Sequence, residues 1–251
     1  MASSLFYLIF LKIFAIIYIE SRKKVLFMIL FENEKNVLIG VVEDLIEHDF
    51  LWAFTYTTDR YGCVKYHLHN WIDEHKGYLY NNHLTVMNGV TRVVVIPESE
   101  NWVLKFNFND NDKQDYNDRE ARNFQYACEE GLSDYFAATY FLGIIGGLEV
   151  YAQERVEVDE DLTSDSFYNY TYNTYYSHEC CENEEDEERI RDNVWDDSDT
   201  LGNEDRIYAM IENSDAVRLV RFCNYYDIND LHSGNWGYRN GQAVLIDYAG
   251  Y

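Results

Sequence analysis

Two alternating apolar runs separated by one turn constrain this chain more than any other feature. Val90-Thr-Arg-Val-Val-Val-Ile96 is rich in β-branched residues, and Pro97-Glu-Ser-Glu-Asn101 is a turn cluster. In Trp102 to Phe108, Trp102, Leu104, Phe106 and Phe108 alternate with Val103, Lys105 and Asn107. Branching at Cβ stiffens χ1 and suits the pleated surface, so the two runs predict a β-hairpin. A polar loop from Asn109 to Asp115 then leads to a helix expected at about 117–130. On that helix Phe124, Ala127 and Cys128 share a face, and Glu120 points the same way. A carboxylate on a buried face needs a partner. Lys105 on the hairpin is the expected one, forming an ion pair across hairpin and helix. Phe136 to Ile145 and Leu148 to Val158 read as two further strands around Gly146-Gly147. The order strand, strand, helix, strand, strand predicts an α+β fold with a mainly antiparallel sheet.

Charge and length narrow the function. The chain has 251 residues, enough for one large domain or two small ones with a sizeable core. It carries 20 Lys and Arg against 45 Asp and Glu, a net charge of −25, which repels nucleic-acid backbones and argues against DNA or RNA as partner. The hydrophobic fraction of 47% excludes wholesale disorder. Five cysteines, an odd number with no CxxC pair, point to a reducing compartment and against a structural zinc site. His67, His69, His75 and His83 lie close to Cys63 in sequence. They form no closed ligand set and read as surface and half-buried side chains around a helix.

Five stretches are expected. Residues 1–27 form an apolar leader: Leu5 to Ile19 are apolar except for Lys12, and Arg22, Lys23 and Lys24 follow. Such a segment is a membrane anchor with the rest in the cytosol, an export signal, or a stretch upstream of a true start at Met28. The first and last of these put the folded part in the cytoplasm, and a membrane is a partner only if residues 5–19 are a genuine anchor. Residues 28–83 are read as a helical extension. A helix over 36–57 would place Val37, Val41, Leu45 and Phe50 near one face, and a second over 64–76 would bring Leu68, Trp71 and Ile72 together. Residues 84–157 hold the sheet. Residues 158–205 are a Tyr-rich and acidic insertion, in which Glu179 to Asp205 carry 13 acids against two Arg. That density of like charge predicts a solvated, mobile stretch, or an acidic docking surface. Residues 206–251 regain helical spacing at about 204–213 and 215–226 before ending in the most informative segment.

That segment begins Ile228-Asn-Asp-Leu-His-Ser-Gly-Asn235. Asp230 and Asn235 have the D-L-x-x-x-N spacing of the kinase catalytic loop, where the Asp handles an acceptor hydroxyl and the Asn binds Mg²⁺. Asn240-Gly241 is a strong hairpin turn, and Ala243 to Ile246 is an apolar strand that ends at Asp247. A hairpin returns the chain beside its start, so Asp247 is expected about 4–6 Å from Asn235, hard oxygen donors suited to sharing Mg²⁺. The alternatives are a polar turn at Asp230 and Asn235, a strand-end cap at Asp247, and an ordinary surface pair at Lys105 and Glu120.

With these motifs in order, the chain resembles the protein-kinase-like superfamily, closest in its catalytic loop to aminoglycoside- and choline-kinase-like and phage-encoded kinase-like proteins. The resemblance covers about residues 84–251. It implies a two-lobed fold with an antiparallel amino-terminal sheet and a truncated, mostly helical carboxy-terminal lobe. It implies ATP and Mg²⁺ as cofactors and phosphoryl transfer to a hydroxyl of a small molecule or protein. Asp230 would be the catalytic residue, and Asn235 and Asp247 the metal ligands. Val103-Leu104-Lys105 resembles the lysine motif, Lys105 holding the α/β-phosphates and Glu120 fixing it. Gln153-Glu154-Arg155-Val156 resembles the hinge, so Glu154 and Val156 would receive the adenine through backbone groups. The sequence departs from the family in three places. Only Gly89 stands where a glycine-rich loop would be, Ile228-Asn229 replaces His-Arg, and Asp-Tyr-Ala replaces Asp-Phe-Gly. With Tyr251 only four positions past Asp247, no activation segment is expected. These departures favour the alternative, a pseudokinase-like nucleotide-binding or protein-interaction module without catalysis.

Overall fold

The computed structural model describes residues 34–89, 92–108, 115–158, 213–228, 235–240 and 242–249. Asp230, the leader and the acidic insertion lie outside the described residues, as does nearly all of the helix expected at 204–213. The chain divides into two compact units, Met1–Phe50 and Leu51–Tyr251. No helix among the described residues is long and apolar enough to cross a membrane.

The first unit contributes helix α1, residues 34–47. It buries Leu38, Val42 and Leu45 and leaves Val37 exposed. The buried stripe is therefore offset by one position from the expected one at Val37 and Val41, and Leu45 belongs to both. The helix is also shorter than expected. After the turn at His48 and Asp49 only the single-turn helix α2, Phe50–Ala53, follows.

The expected continuation to residue 57 is instead a strand. β1 (Tyr56–Thr58) pairs antiparallel with β2 (Val64–Tyr66). The turn between them explains why helix gives way here. Asp59 Oδ1 accepts hydrogen bonds from the backbone N–H groups of Tyr61 (2.8 Å) and Cys63 (2.9 Å), so the side chain offers the backbone a turn in place of a helix. Helices α3 (Leu68–Glu74) and α4 (Lys76–Asn81) follow and bury Leu68, Trp71 and Leu79. The His75 ring stacks on Trp71 with centroids 4.6 Å apart, and His67 stacks on Trp52 at 4.5 Å. Both histidines are thus packing groups.

The centre of the second unit is a five-strand antiparallel sheet. Its strands are β3 (Leu84–Asn88), β4 (Arg92–Pro97), β5 (Trp102–Asn107), β6 (Thr139–Ile145) and β7 (Leu148–Glu154), in the spatial order β3-β4-β5-β7-β6. The expected hairpin is β4–β5, and its register sets Val93 opposite Phe106 and Val94 opposite Lys105. Residues directly opposite share a face. One face of the sheet therefore carries Val93, Val95, Leu104, Phe106 and Ala152, all fully buried. The other carries Arg92, Lys105 and, opposite Val103, Gln153. On the second face these three polar side chains are buried among half-buried neighbours such as Val94 and Val103, and the site is built there.

Helix α5 (Tyr116–Glu130) runs between β5 and β6 in the chain. Its buried positions are Asn117, Glu120, Asn123, Phe124 and Ala127, a stripe at helical spacing with an acid in it. The helix stops at Gly131, whose φ of 72° is left-handed. That conformation costs glycine little and lets the Leu132 N–H reach back to the Ala127 carbonyl at 2.7 Å. Helix α6 (Asn213–Tyr225) and the hairpin β8 (Trp236–Arg239) and β9 (Gln242–Leu245) complete the described residues. The fold is α+β, with strands and helices in one compact unit after Phe50.

Candidate functional site

The carboxy-terminal hairpin is tied to the flank of the sheet by backbone bonds. The Ala137 N–H donates to the Leu245 carbonyl at 2.8 Å, and Glu157 and Tyr238 exchange two bonds of 3.2 and 2.8 Å. Gly237 allows this approach, since a Cβ there would lie 2.5 Å from the Glu157 carbonyl oxygen. Strand β9 consequently delivers Ile246, Asp247 and Tyr248 to the polar side of the sheet, next to α5.

Four charged side chains meet there. Lys105 Nζ lies 2.8 Å from Glu120 Oε2, the pair expected from the helix face, and also donates to the Ile246 carbonyl at 2.9 Å. Arg92 Nη1 donates to Glu120 Oε1 at 2.5 Å, and Arg92 Nη2 binds Asp247 Oδ1. Lys105, Arg92 and Glu120 are buried, Glu120 completely. The cluster has two cations and two anions and is neutral as a whole. That is the condition under which charge survives in a low-dielectric interior. Burial pushes the Lys105 ammonium below its ordinary range, with Glu120 opposing the shift and Arg92 adding to it. For Asp247 burial acts upward, but Arg92 and then Lys105 outweigh it and hold the carboxyl below the usual range.

A polar shell closes around the four. Gln153 Nε2 donates to Thr139 Oγ1 (2.9 Å) and reaches Glu120 Oε2 (3.5 Å). Tyr248 is buried, and its hydroxyl donates to the Ala137 carbonyl at 2.5 Å while lying 2.6 Å from Thr139 Oγ1. Its backbone is held as well. The Tyr248 N–H points to Glu120 Oε1 at 3.4 Å, and Asn123 Nδ2 donates to its carbonyl at 2.9 Å. Asp-Tyr-Ala is therefore bolted to α5 by the residues after the carboxylate.

The other expected site residues lie elsewhere or arrive only in part. Asn235 is buried, and its carbonyl accepts from the Ile246 N–H at 2.8 Å, so the hairpin does bring positions 235 and 246 together. Glu154 is away from the cluster. Its carboxylate takes Arg239 Nη1 at 2.5 Å and the Ala138 N–H at 3.2 Å. Along 154–157, the N–H groups of Glu154, Arg155 and Glu157 bond to the carbonyls of Ala138, Asn101 and Tyr238. Val156 packs toward Gly237. Asp230 lies outside the described residues.

Asp247 is held by a cationic side chain in the structure. One oxygen of Asp247 is engaged by a guanidinium, and among the described residues no group of three His, Cys, Asp or Glu is placed to hold a metal ion. Sequence reasoning missed Arg92, the residue that pairs with Asp247. Its signal was the alternation itself. An Arg inside a β-branched run and in phase with Lys105 must share the lysine's face.

No family model matches the chain, and no curated protein or solved structure does so either.

Proposed function

We propose that the buried charge cluster is the nucleotide end of a kinase-like, two-lobed phosphotransferase, which moves the γ-phosphoryl of ATP to a hydroxyl of a small molecule or protein. The observation that carries this reading is the Lys105–Glu120 pair. Its lysine is on the third strand of a five-strand sheet and its glutamate on the helix that follows, with the strand-end Asp247 joined to the same cluster. Kinases arrange the corresponding groups in this order. In the proposal Lys105 holds the α/β-phosphates and Glu120 orients it. Glu154 and Val156 lie along the adenine, and Asp230 takes the acceptor hydroxyl's proton. The rate arises from positioning and from charge neutralisation at the transferred group. Mg²⁺, assigned by the resemblance to Asn235 and Asp247, would supply phosphate neutralisation when bound.

One observation favours the reading without catalysis, nucleotide or protein binding by the same site: Arg92 already satisfies Asp247. A thermal-shift titration with ATP, with and without Mg²⁺, followed by γ-phosphate transfer to hydroxyl acceptors, separates the two. Stabilisation by ATP with transfer is the expected result, and stabilisation without transfer selects the second reading. Absence of any ATP-dependent shift overturns the phosphotransferase and nucleotide binding alike and leaves protein binding by the same site as the reading to test.

A further inference from the structure

The four buried charges are not equivalent. Glu120 has two cationic partners, Arg92 and Lys105, one at each oxygen. Asp247 is bridged by Arg92. Lys105 is directed to Glu120 and to the Ile246 carbonyl. The exposures differ as well. The Arg92 and Glu120 side chains are 9% and 0% exposed, whereas that of Asp247 is 39% exposed. Asp247 therefore stands at the rim of the cluster, held by the guanidinium, in contact with Glu120 and near Lys105, and partly exposed.

Charge counting gives this a consequence. With Arg92 in place the cluster is neutral, and a divalent cation arriving at Asp247 would meet a carboxylate already neutralised and a guanidinium beside it. A divalent cation and a guanidinium on the same carboxylate repel each other, with solvent at the partly exposed Asp247 screening part of that repulsion. With Arg92 withdrawn to Glu120 alone, Asp247 loses its direct ion-pair partner and has only the more distant Lys105 to offset it, and a strand-end carboxylate of that kind is a hard oxygen ligand that a divalent cation takes.

We propose that Arg92 and a divalent cation are alternative partners of Asp247, so that Arg92 is a latch that keeps metal off this carboxylate until it is released. The proposal rests on the kinase-like reading for the reason a metal would come to Asp247, and on the ion-pair geometry for the exclusion. Arg92 is a positioning residue here, acting through Asp247.

The test uses the full chain and Mn²⁺ alone, with binding read by electron paramagnetic resonance of the free ion. Arg92→Gln should bind Mn²⁺ at least about tenfold more tightly than the unaltered protein, about 1.4 kcal/mol. Arg92→Lys retains the positive charge and should stay near the unaltered protein. Adding Asp247→Asn to Arg92→Gln should abolish the gain. Because Arg92→Gln leaves Glu120 with one cation fewer, the neutral pair Arg92→Gln with Glu120→Gln serves where folding suffers, and the same gain is expected in it. Equal Mn²⁺ affinity with and without Arg92, or a gain that survives Asp247→Asn, overturns the latch. A gain in Mn²⁺ binding by a protein that ATP does not stabilise would leave the latch standing and remove the kinase-like reading. ATP stabilisation with no Mn²⁺ gain would do the reverse.

Discussion

Helix α5 carries ion pairs on two sides, built from the same residue types. Inward, Glu120 meets Lys105 and Arg92 with all three side chains buried. Outward, Arg122 sits 3.0 Å from Asp118 and 3.5 Å from Asp115, and Arg119 sits 3.6 Å from Asp115. The inward distances are the shorter ones, but distance alone does not set what a pair contributes. Solvation does. The outward side chains are a third or more exposed, so water and salt screen them and both partners keep their hydration when the pair opens. The inward groups have surrendered hydration, and each depends on the others to remain charged.

The largest expected effect follows from that dependence. Glu120→Ala leaves Arg92 and Lys105 facing each other with only Asp247 to offset them. It should cost about 3–5 kcal/mol, the range for stranding buried charge. Equilibrium urea unfolding of the full chain measures it. A loss below about 1 kcal/mol, the range of exposed pairs, would erase the distinction between the two sides.

How much of this was legible depends on how far apart the cooperating residues lie. The hairpin β4–β5 and helix α5 follow from local patterns, because alternation and the 3.6-residue period are each set within a dozen residues. Glu120 could be picked out because an acid in an apolar stripe is conspicuous. The β1–β2 hairpin was hidden by its neighbours. Tyr56 and the threonines after it extend what reads as a helical run, and the turn depends on one side chain, Asp59, bonding its own backbone. Arg92 was hidden for another reason. Its face is fixed by the strand, but its two acceptors come from α5 and from the far end of the chain. No window contains all three. The order of motifs pointed to Asp247 as a metal ligand, and only tertiary structure reveals the guanidinium already beside it.

A smaller effect is expected at the edge of the cluster. Tyr248→Phe removes a hydroxyl that donates to the Ala137 carbonyl and lies against Thr139, with no change in ring packing against Phe136. A buried hydrogen bond of this kind contributes about 0.5–1.5 kcal/mol. The same unfolding experiment should show a loss in that range. No loss would mean that the polar shell is not needed to hold Asp-Tyr-Ala on α5.

Acid should separate the inward set from the outward one. Arg92, with Lys105 behind it, holds the Asp247 carboxyl below its ordinary value against the opposing pull of burial. A depressed carboxyl stabilises the fold above its unfolded pKa, about 3.9 for Asp. That contribution is lost as pH falls through the lower folded value. The unaltered chain should therefore lose stability below about pH 4 more steeply than Asp247→Asn, which has no proton to take up there. Coincident urea midpoints for the two proteins across that limb would mean that the Arg92–Asp247 contact carries no net stabilisation.

The smallest effect belongs to the outward side, and it is the control on which the comparison stands. Arg122 pairs with two carboxylates, Asp118 and Asp115, just as Glu120 pairs with two cations. Its side chain is 51% exposed, and the partners are 52% and 60% exposed. Opening these pairs returns every group to water, so little is lost beyond a weak screened attraction and some packing of the arginine stem. Arg122→Ala should shift stability by no more than about 0.5 kcal/mol. The shift should vanish in about 1 M salt, where the Debye length falls to about 3 Å. The cost of Glu120→Ala should survive the same salt, because ions do not enter the space between Lys105 and Glu120. If salt instead erased both, the inward cluster would have to open to solvent far more readily than its burial indicates.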